Sequence, residues 1–358
     1  MFIMTTINSN NEKGVAMKTL SVVVSGLMLT GSFAFASDAA LLKAAKDSGL
    51  KAIPESKQEL LKLVDDKNNP ITEAKVELGK KLYFDPRLSK SNLISCNTCH
   101  NLALGGADTV GAAIGHKWTV NPHHLNSPTV YNSVLNAVQF WDGRSPHLED
   151  QAQGPIQAGP EMAAPADLVV ARVTSIPEYV AEFKKAYGPN VKIDFKLIAD
   201  TIGNFERTLI TPSRFDDFLN GHLDALTKAE KEGLSLFLDK GCTACHTDIG
   251  IGGTMQAFEI HSKYSFAKGD FKGDANGMVK TPTLRNIQET APYFHNGNVW
   301  TLKEAVKEMG SVQLGVKISD KDADKIVTFL NSLTGTKPQV IYPVLPPSTD
   351  KTPKPDMN

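Results

Sequence analysis

All four cysteines of the chain fall in two copies of one pattern, Cys96-Asn97-Thr98-Cys99-His100 and Cys242-Thr243-Ala244-Cys245-His246. Two thiols two residues apart, followed at once by an imidazole, read as a site of covalent c-type haem attachment. Each thiol can add to one vinyl group of the porphyrin, the gap spans the vinyls, and the histidine is placed beneath the ring to ligate iron. Zinc would need further ligands at matching spacing. A thioredoxin-like redox pair has no use for the histidine twice, and two disulfides would leave both histidines unexplained. Two covalently bound haem c groups are therefore expected, with no cysteine left over.

A proximal histidine leaves one iron position open, and its occupant sets the chemistry. After His246 the candidates are Met255, Met278, Met309, His261 and His295. Met309 follows a helix opened by Thr301 and Glu304 and reads as a loop methionine between helices, one cytochrome-domain length beyond the haem motif. A His/Met haem has a raised potential, because thioether sulfur favours the reduced iron. Around the first motif stand His116, His123 and His124, with Met162 further off. His116 sits in a glycine-flanked stretch of the mobile sort, Gly111 to Trp118. The residues alone leave this choice open. A second histidine would give a lower potential than a methionine, so the two haems would be electronically unequal.

These motifs need helices to hold them. Lys81-Leu82-Tyr83-Phe84 precedes the first site and Leu234-Ser235-Leu236-Phe237 the second, while Gly105-Gly106 and Gly252-Gly253 follow them: a crude internal repeat. Helical spacing of Val76, Gly79 and Leu82 predicts a helix over about Thr72 to Phe84. Thr227 with Glu230, and Thr301 with Glu304, read as capping boxes. A last helix starts near Ser319, buries Ile326, Phe329, Leu330 and Leu333, and ends at Gly335. Trp300 reads as a packing residue. Glu161, between Pro160 and Pro165 and after Gly154-Pro155 and Gly159, lies where prolines forbid an ordinary helix.

The 358 residues suffice for two domains. With 38 basic and 39 acidic residues the chain lacks the excess of positive charge usual in nucleic-acid binders. No run of about 18 apolar residues spans a bilayer. Lys18, the apolar stretch Leu20 to Leu29, and Ala34-Phe35-Ala36 read as an export signal with its cleavage site, so a mature chain is expected from about Ser37. Residues 1–16, polar and upstream of that signal, read as a start assigned too early or an appended stretch. Export agrees with c-type attachment, which bacteria carry out outside the cytoplasm.

Over about residues 70 to 340 the chain resembles the bacterial di-haem cytochrome c peroxidases. The resemblance rests on the two haem motifs and on Asn126-Ser127-Pro128-Thr129, Phe140-Trp141-Asp142-Gly143-Arg144 and Asp150-Gln151-Ala152. It continues through Gly159-Pro160-Glu161-Met162, Thr281-Pro282-Thr283-Leu284-Arg285-Asn286 and Ala291-Pro292-Tyr293-Phe294-His295-Asn296-Gly297. It implies a mainly α fold of two cytochrome c-like haem domains with long irregular loops. The expected boundaries are 37–211 for the peroxidatic, low-potential haem and 212–336 for the electron-transfer, high-potential haem. A Pro-rich tail, 337–358, packs back on the first domain before fraying near Asp350.

The resemblance also implies roles. His100 is the proximal ligand of the peroxidatic haem and His116 its distal ligand in the resting oxidised state. His246 and Met309 ligate the electron-accepting haem. Trp141 lies on the electron route between the haems, and Gln151 and Glu161 lie where peroxide binds. A calcium ion is expected at the domain boundary from the Asn126 side chain and the carbonyls of Thr290 and Pro292. The family reduces hydrogen peroxide in the periplasm with electrons from a small cytochrome c or a cupredoxin, and its members are commonly homodimers. Cleaving the O–O bond independently calls for a carboxylate to move a proton, a role open to Glu161, and reduction of the second haem is expected to release His116. Two other readings remain. One is the related enzyme of methylamine utilisation, which oxidises a protein substrate but carries Tyr at the position of Met309. The other is a di-haem electron carrier in which Glu161 and Gln151 are idle.

Overall fold

The structure, a computed structural model, describes residues 37–257 and 273–358. The export signal and His261 lie outside the described residues. The helices are α1 (Asp38–Asp47), α2 (Lys57–Val64), α3 (Glu73–Phe84), α4 (Cys96–Cys99), α5 (Leu148–Gln151), α6 (Gln153–Gln157) and α7 (Ala166–Thr174). They continue as α8 (Pro177–Tyr187), α9 (Phe195–Glu206), α10 (Arg214–Asn220), α11 (Lys228–Asp239), α12 (Leu302–Val312) and α13 (Asp320–Asn331). Two short antiparallel hairpins, β1 (Ile114–Gly115) with β2 (Thr119–Val120) and β3 (Met255–Ala257) with β4 (Met278–Lys280), interrupt otherwise irregular loops.

The main helices start where local chemistry starts them. The Thr72 hydroxyl accepts from Lys75 N–H at the head of α3, and Thr227 and Glu230 satisfy each other's backbone N–H at the head of α11. Ser319 caps α13 and Thr301 caps α12. The last helix stops at Asn331, short of Gly335. Gly335 instead lies against the backbone: a Cβ there would meet the Thr211 carbonyl at 2.1 Å.

Two helix crossings build two cores. In the first, α3 crosses α9, and Leu78, Leu82, Tyr83, Ile198, Ile202 and Phe205 are buried together. In the second, α11 crosses α13, burying Leu234, Phe237, Ile326, Phe329 and Leu330. The crossings are made alike. A Cβ on Gly79 would lie 2.1 Å from the Thr201 carbonyl and 2.9 Å from the Phe205 Cβ; on Gly233 it would lie 2.1 Å from the Lys325 carbonyl and 2.8 Å from the Phe329 Cβ. Each glycine lets two backbones touch, and four residues further along the partner helix a phenylalanine packs beside it. Tyr83 meets Phe205, and Phe237 meets Phe329, with ring centroids 5.3 Å apart in both pairs. The repeat seen around the haem motifs thus extends to the helix partners: these are two cytochrome c-like domains in a mainly helical chain.

The chain's ends cross over. Leu41, Ala45 and Leu50 of the N-terminal segment sit in the second core. The tail lies along the first: Tyr342 packs on Phe84, and the Arg172 guanidinium donates to the carbonyls of Pro353 and Lys354. Ordered contacts run past Asp350, because Asp356 N–H donates to the Lys90 carbonyl at 2.9 Å, so no fraying occurs there. Trp300 is 61 % exposed rather than packed; it stands just before the cap of α12, off the helix face that meets the core.

Candidate functional site: two cysteine–histidine centres

At the first centre, Cys96 and Cys99 begin and end α4, with Ser95 and Thr98 closing a capping box at its head. His100 follows as the C-cap, its N–H bonded to the Cys96 carbonyl at 2.9 Å. The His100 Nδ1 lies 2.8 Å from the Pro128 carbonyl, which fixes that nitrogen as the N–H and leaves Nε2 to bind a metal. The Tyr83 hydroxyl donates to the His100 carbonyl at 2.5 Å, tying the loop to α3. Both thiols are free. Burial pushes the Cys99 thiol up to about 12 and Cys96 further still.

Across from them the β1–β2 hairpin delivers His116. Gly115 before it leaves no room for a Cβ, which would collide with the Pro160 carbonyl at 1.8 Å. His116 N–H donates to the Glu161 carbonyl at 2.6 Å, and the Cys99 thiol faces the Ile114 carbonyl at 3.7 Å. The imidazole of His116 is buried, yet neither Nδ1 nor Nε2 has a hydrogen-bond partner. A buried imidazole with both nitrogens unsatisfied is costly unless something outside the chain meets it, as a metal would. Glu161 lies in a turn after α6, which itself accommodates Pro155. Burial raises its pKa, with Arg144 and His123 pulling the other way. Gln151 closes α5, half-buried, and no hydrogen bond joins it to Glu161 among the described residues. His123 and His124 are exposed, Met162 is in the first core, and Arg144 is paired with Asp142 over the Phe140 ring.

The second centre opens into a cavity of about 480 Å³, lined among others by Cys242, Cys245, His246, Met309, Trp141 and Lys280. That volume is in the range of ligand sites. His246 N–H donates to the Cys242 carbonyl at 3.0 Å, repeating the first centre. Its Nδ1 is buried without a partner, and burial drives its pKa down to about 4 despite the nearby backbone at Ile251 and Pro282. Met309 does face this cavity, but from within α12 and not from a loop: the helix capped by Thr301 runs on to Val312, with Leu302, Ala305 and Met309 all lining the cavity. Of the rival ligands, Met255 packs its sulfur over Gly143 and neither it nor Met278 lines the cavity, whereas His295 does.

Trp141 lines the second cavity. Its Nε1 donates to the Asn126 carbonyl at 3.1 Å, its carbonyl accepts from Lys280 N–H at 2.8 Å, and its ring meets His295 edge-on at 6.4 Å. Asn126 is buried; its amide contacts the Pro292 carbonyl at 2.6 Å, and Thr290 and Pro292 line the same cavity. Lys280 and the Tyr83 hydroxyl were not legible as site residues. Each carries its polar head on a side chain whose neighbours in sequence do not tell what it faces.

A family model described as di-haem cytochrome c peroxidase matches residues 73–224, and a cytochrome c model matches 230–334. The chain is 46 % identical over 319 residues to the cytochrome c551 peroxidase of Pseudomonas aeruginosa, covering 85 % of this chain and 90 % of that one. It is 45 % identical to the protein of that name from Nitrosomonas europaea, over 78 % and 85 % of the two chains. The methylamine utilization protein MauG of Methylorubrum extorquens is 33 % identical, over 78 % and 84 %. Among solved structures, a MauG-like protein associated with microbial copper homeostasis aligns with a TM-score of 0.65 at 26 % identity, over 75 % of this chain and 92 % of that one. The chain belongs to the di-haem cytochrome c peroxidase family. It is accordingly a haem c oxidoreductase of the peroxidase type, with two covalently bound haem c groups.

The unpartnered His116 and His246 nitrogens, the free thiol pairs and the cavity fit those two groups. No described helix is long and apolar enough to cross a membrane.

Proposed function

We propose that this protein reduces hydrogen peroxide to water in the periplasm, taking electrons from a small cytochrome c or a cupredoxin, after a reductive step that releases His116. The observation that carries the reading is His116 itself: a buried imidazole with neither nitrogen bonded, on a two-residue hairpin whose backbone is tied to Glu161. The overall reaction is H2O2 + 2e⁻ + 2H⁺ → 2H2O. When bound, the haem at Cys96 and Cys99 supplies the iron at which the O–O bond breaks, and the haem at Cys242 and Cys245 supplies a stored electron. His100 and His116 would hold the first iron in the resting protein, and His246 and Met309 the second. His116 withdraws and uncovers the site. Glu161, whose proton affinity burial raises, takes the proton from the near peroxide oxygen and hands it to the leaving one. Gln151 orients the peroxide, and Trp141, bonded to Asn126 and Lys280 backbone, lies on the electron route.

In this reading the first domain runs over 37–211, the second over 212–336 and the tail over 337–358, behind an export signal within 1–36. A calcium ion holds the boundary. Turned over, the Asn126 amide would set its oxygen beside the Pro292 carbonyl, a hard-oxygen pair suited to calcium, with the Thr290 carbonyl as a third ligand. The protein assembles as a homodimer.

The test is peroxide-dependent oxidation of a reduced cytochrome c. Glu161→Gln is expected to lower turnover about 10²- to 10⁴-fold. His116→Gly should make the fully oxidised protein active without pre-reduction. If that variant gains an open iron site yet stays as inactive as the parent, the gating step is wrong. No turnover by the reduced parent would leave an electron carrier.

A further inference from the structure

Among the described residues, other buried cations are answered. Lys75 donates to the Asn69 side chain at 3.1 Å and to the Pro70 carbonyl at 3.0 Å. Arg285, fully buried, holds both carboxylate oxygens of Asp216 at 2.8 and 2.9 Å. Lys280 differs. It is 5 % exposed, at the end of β4, where its N–H is bonded to the Trp141 carbonyl, and its side chain lines the cavity of the second centre. Among the described residues no group accepts from its ammonium and no carboxylate compensates it. Burial alone acts on it, pushing its pKa down to about 8.

An unpaired ammonium in a largely apolar cavity costs several kcal/mol, so the fold tolerates it only if what fills the cavity brings an anion. The group bound through Cys242 and Cys245 carries two propionate carboxylates. We propose that the Lys280 ammonium is the counter-ion of a propionate on this haem, and that its charge raises that haem's reduction potential. A fixed positive charge in a low-dielectric site favours the electron-loaded iron. Lys280 is thus a positioning residue for the electron-accepting haem, anchored beside Trp141 by its own backbone. The inference rests on haem attachment at Cys242 and Cys245, and not on Met309 or on peroxide turnover.

The experiment is an optical redox titration of the fully loaded enzyme carrying Lys280→Met or Lys280→Arg. Lys280→Met is expected to weaken reduction of the second haem about tenfold, ~59 mV for one electron, while Lys280→Arg stays within about twofold of the parent. A purely structural lysine would alter haem loading or unfolding without this charge-dependent pattern. A potential in Lys280→Met within about twofold of the parent overturns the proposal, as does an equal fall in Lys280→Arg. Should Lys280→Met load poorly, Lys280→Gln carries the same expectation and the same overturning result. A wrong assignment of Met309 would show separately, as unchanged ligand-field bands in a Met309 variant.

Discussion

Glu206 shows how a single carboxyl is held against its solution chemistry. It ends α9, buried, with Oε2 lacking any hydrogen-bond partner. Burial raises its pKa to about 8, and the charge of Glu149 adds to the effect. The folded protein therefore holds this proton over a range where the unfolded chain, at the ordinary value near 4.5, has lost it. Since the folded state binds more protons there, stability falls as pH rises from about 4.5 to about 8 and levels off above. Glu206→Gln keeps the shape and removes the proton. Its urea midpoint should lose that part of the decline and exceed the parent's at pH 8, which parallel unfolding curves at several pH values would check. Glu161 follows the same sign, because burial raises it too. Glu161→Gln should thus hold or gain stability at neutral pH while losing turnover, the mark of a group retained for chemistry.

At the scale of elements, the two haem-bearing halves depend on glycines at helix crossings. In an exposed helix Gly→Ala gains about 1 kcal/mol through propensity. At Gly79 and Gly233 the sign should reverse, because the new methyl would sit 2.1 Å from a backbone carbonyl that cannot move without shifting the whole crossing. Gly79→Ala and Gly233→Ala are each expected to cost about 2–3 kcal/mol, read as lower thermal midpoints. Each should broaden the spectrum of its own haem first, since Gly79 lies in the helix leading to Cys96 and Gly233 in the helix leading to Cys242.

For the whole molecule, the ends act as straps. Arg172, 1 % exposed, donates to the carbonyls of Arg87, Ser89 and Lys90 on the approach to Cys96 and to Pro353 and Lys354 of the tail. One guanidinium thus clamps the last residues onto the loop that presents the first haem site. Arg172→Met would leave these acceptors without their charged donor at a cost of about 3 kcal/mol. Limited proteolysis should then clip the tail, while the spectrum of the second haem, set in a separate core, stays unchanged. Unaltered resistance of the tail would show that the strap does not depend on Arg172.

What could be read from the chain alone was local. The haem motifs are legible because attachment needs three side chains within five residues, and Thr72, Thr227 and Ser319 announce their helices because a cap bonds only two or three residues ahead. The same locality misplaced Met309 in a loop and Trp300 in a core, since periodicity says where a helix begins more surely than how far it runs or what covers its first residue. The family's shared motifs supplied the class. Only the tertiary structure set His116 beside the Glu161 backbone, turned the Met309 face of α12 into the second cavity, left Lys280 there unanswered, and laid each chain end on the opposite core. Those contacts join residues dozens to hundreds of positions apart, and they exist only because helix crossings and loop closure bring the surfaces together, which no short window of sequence encodes.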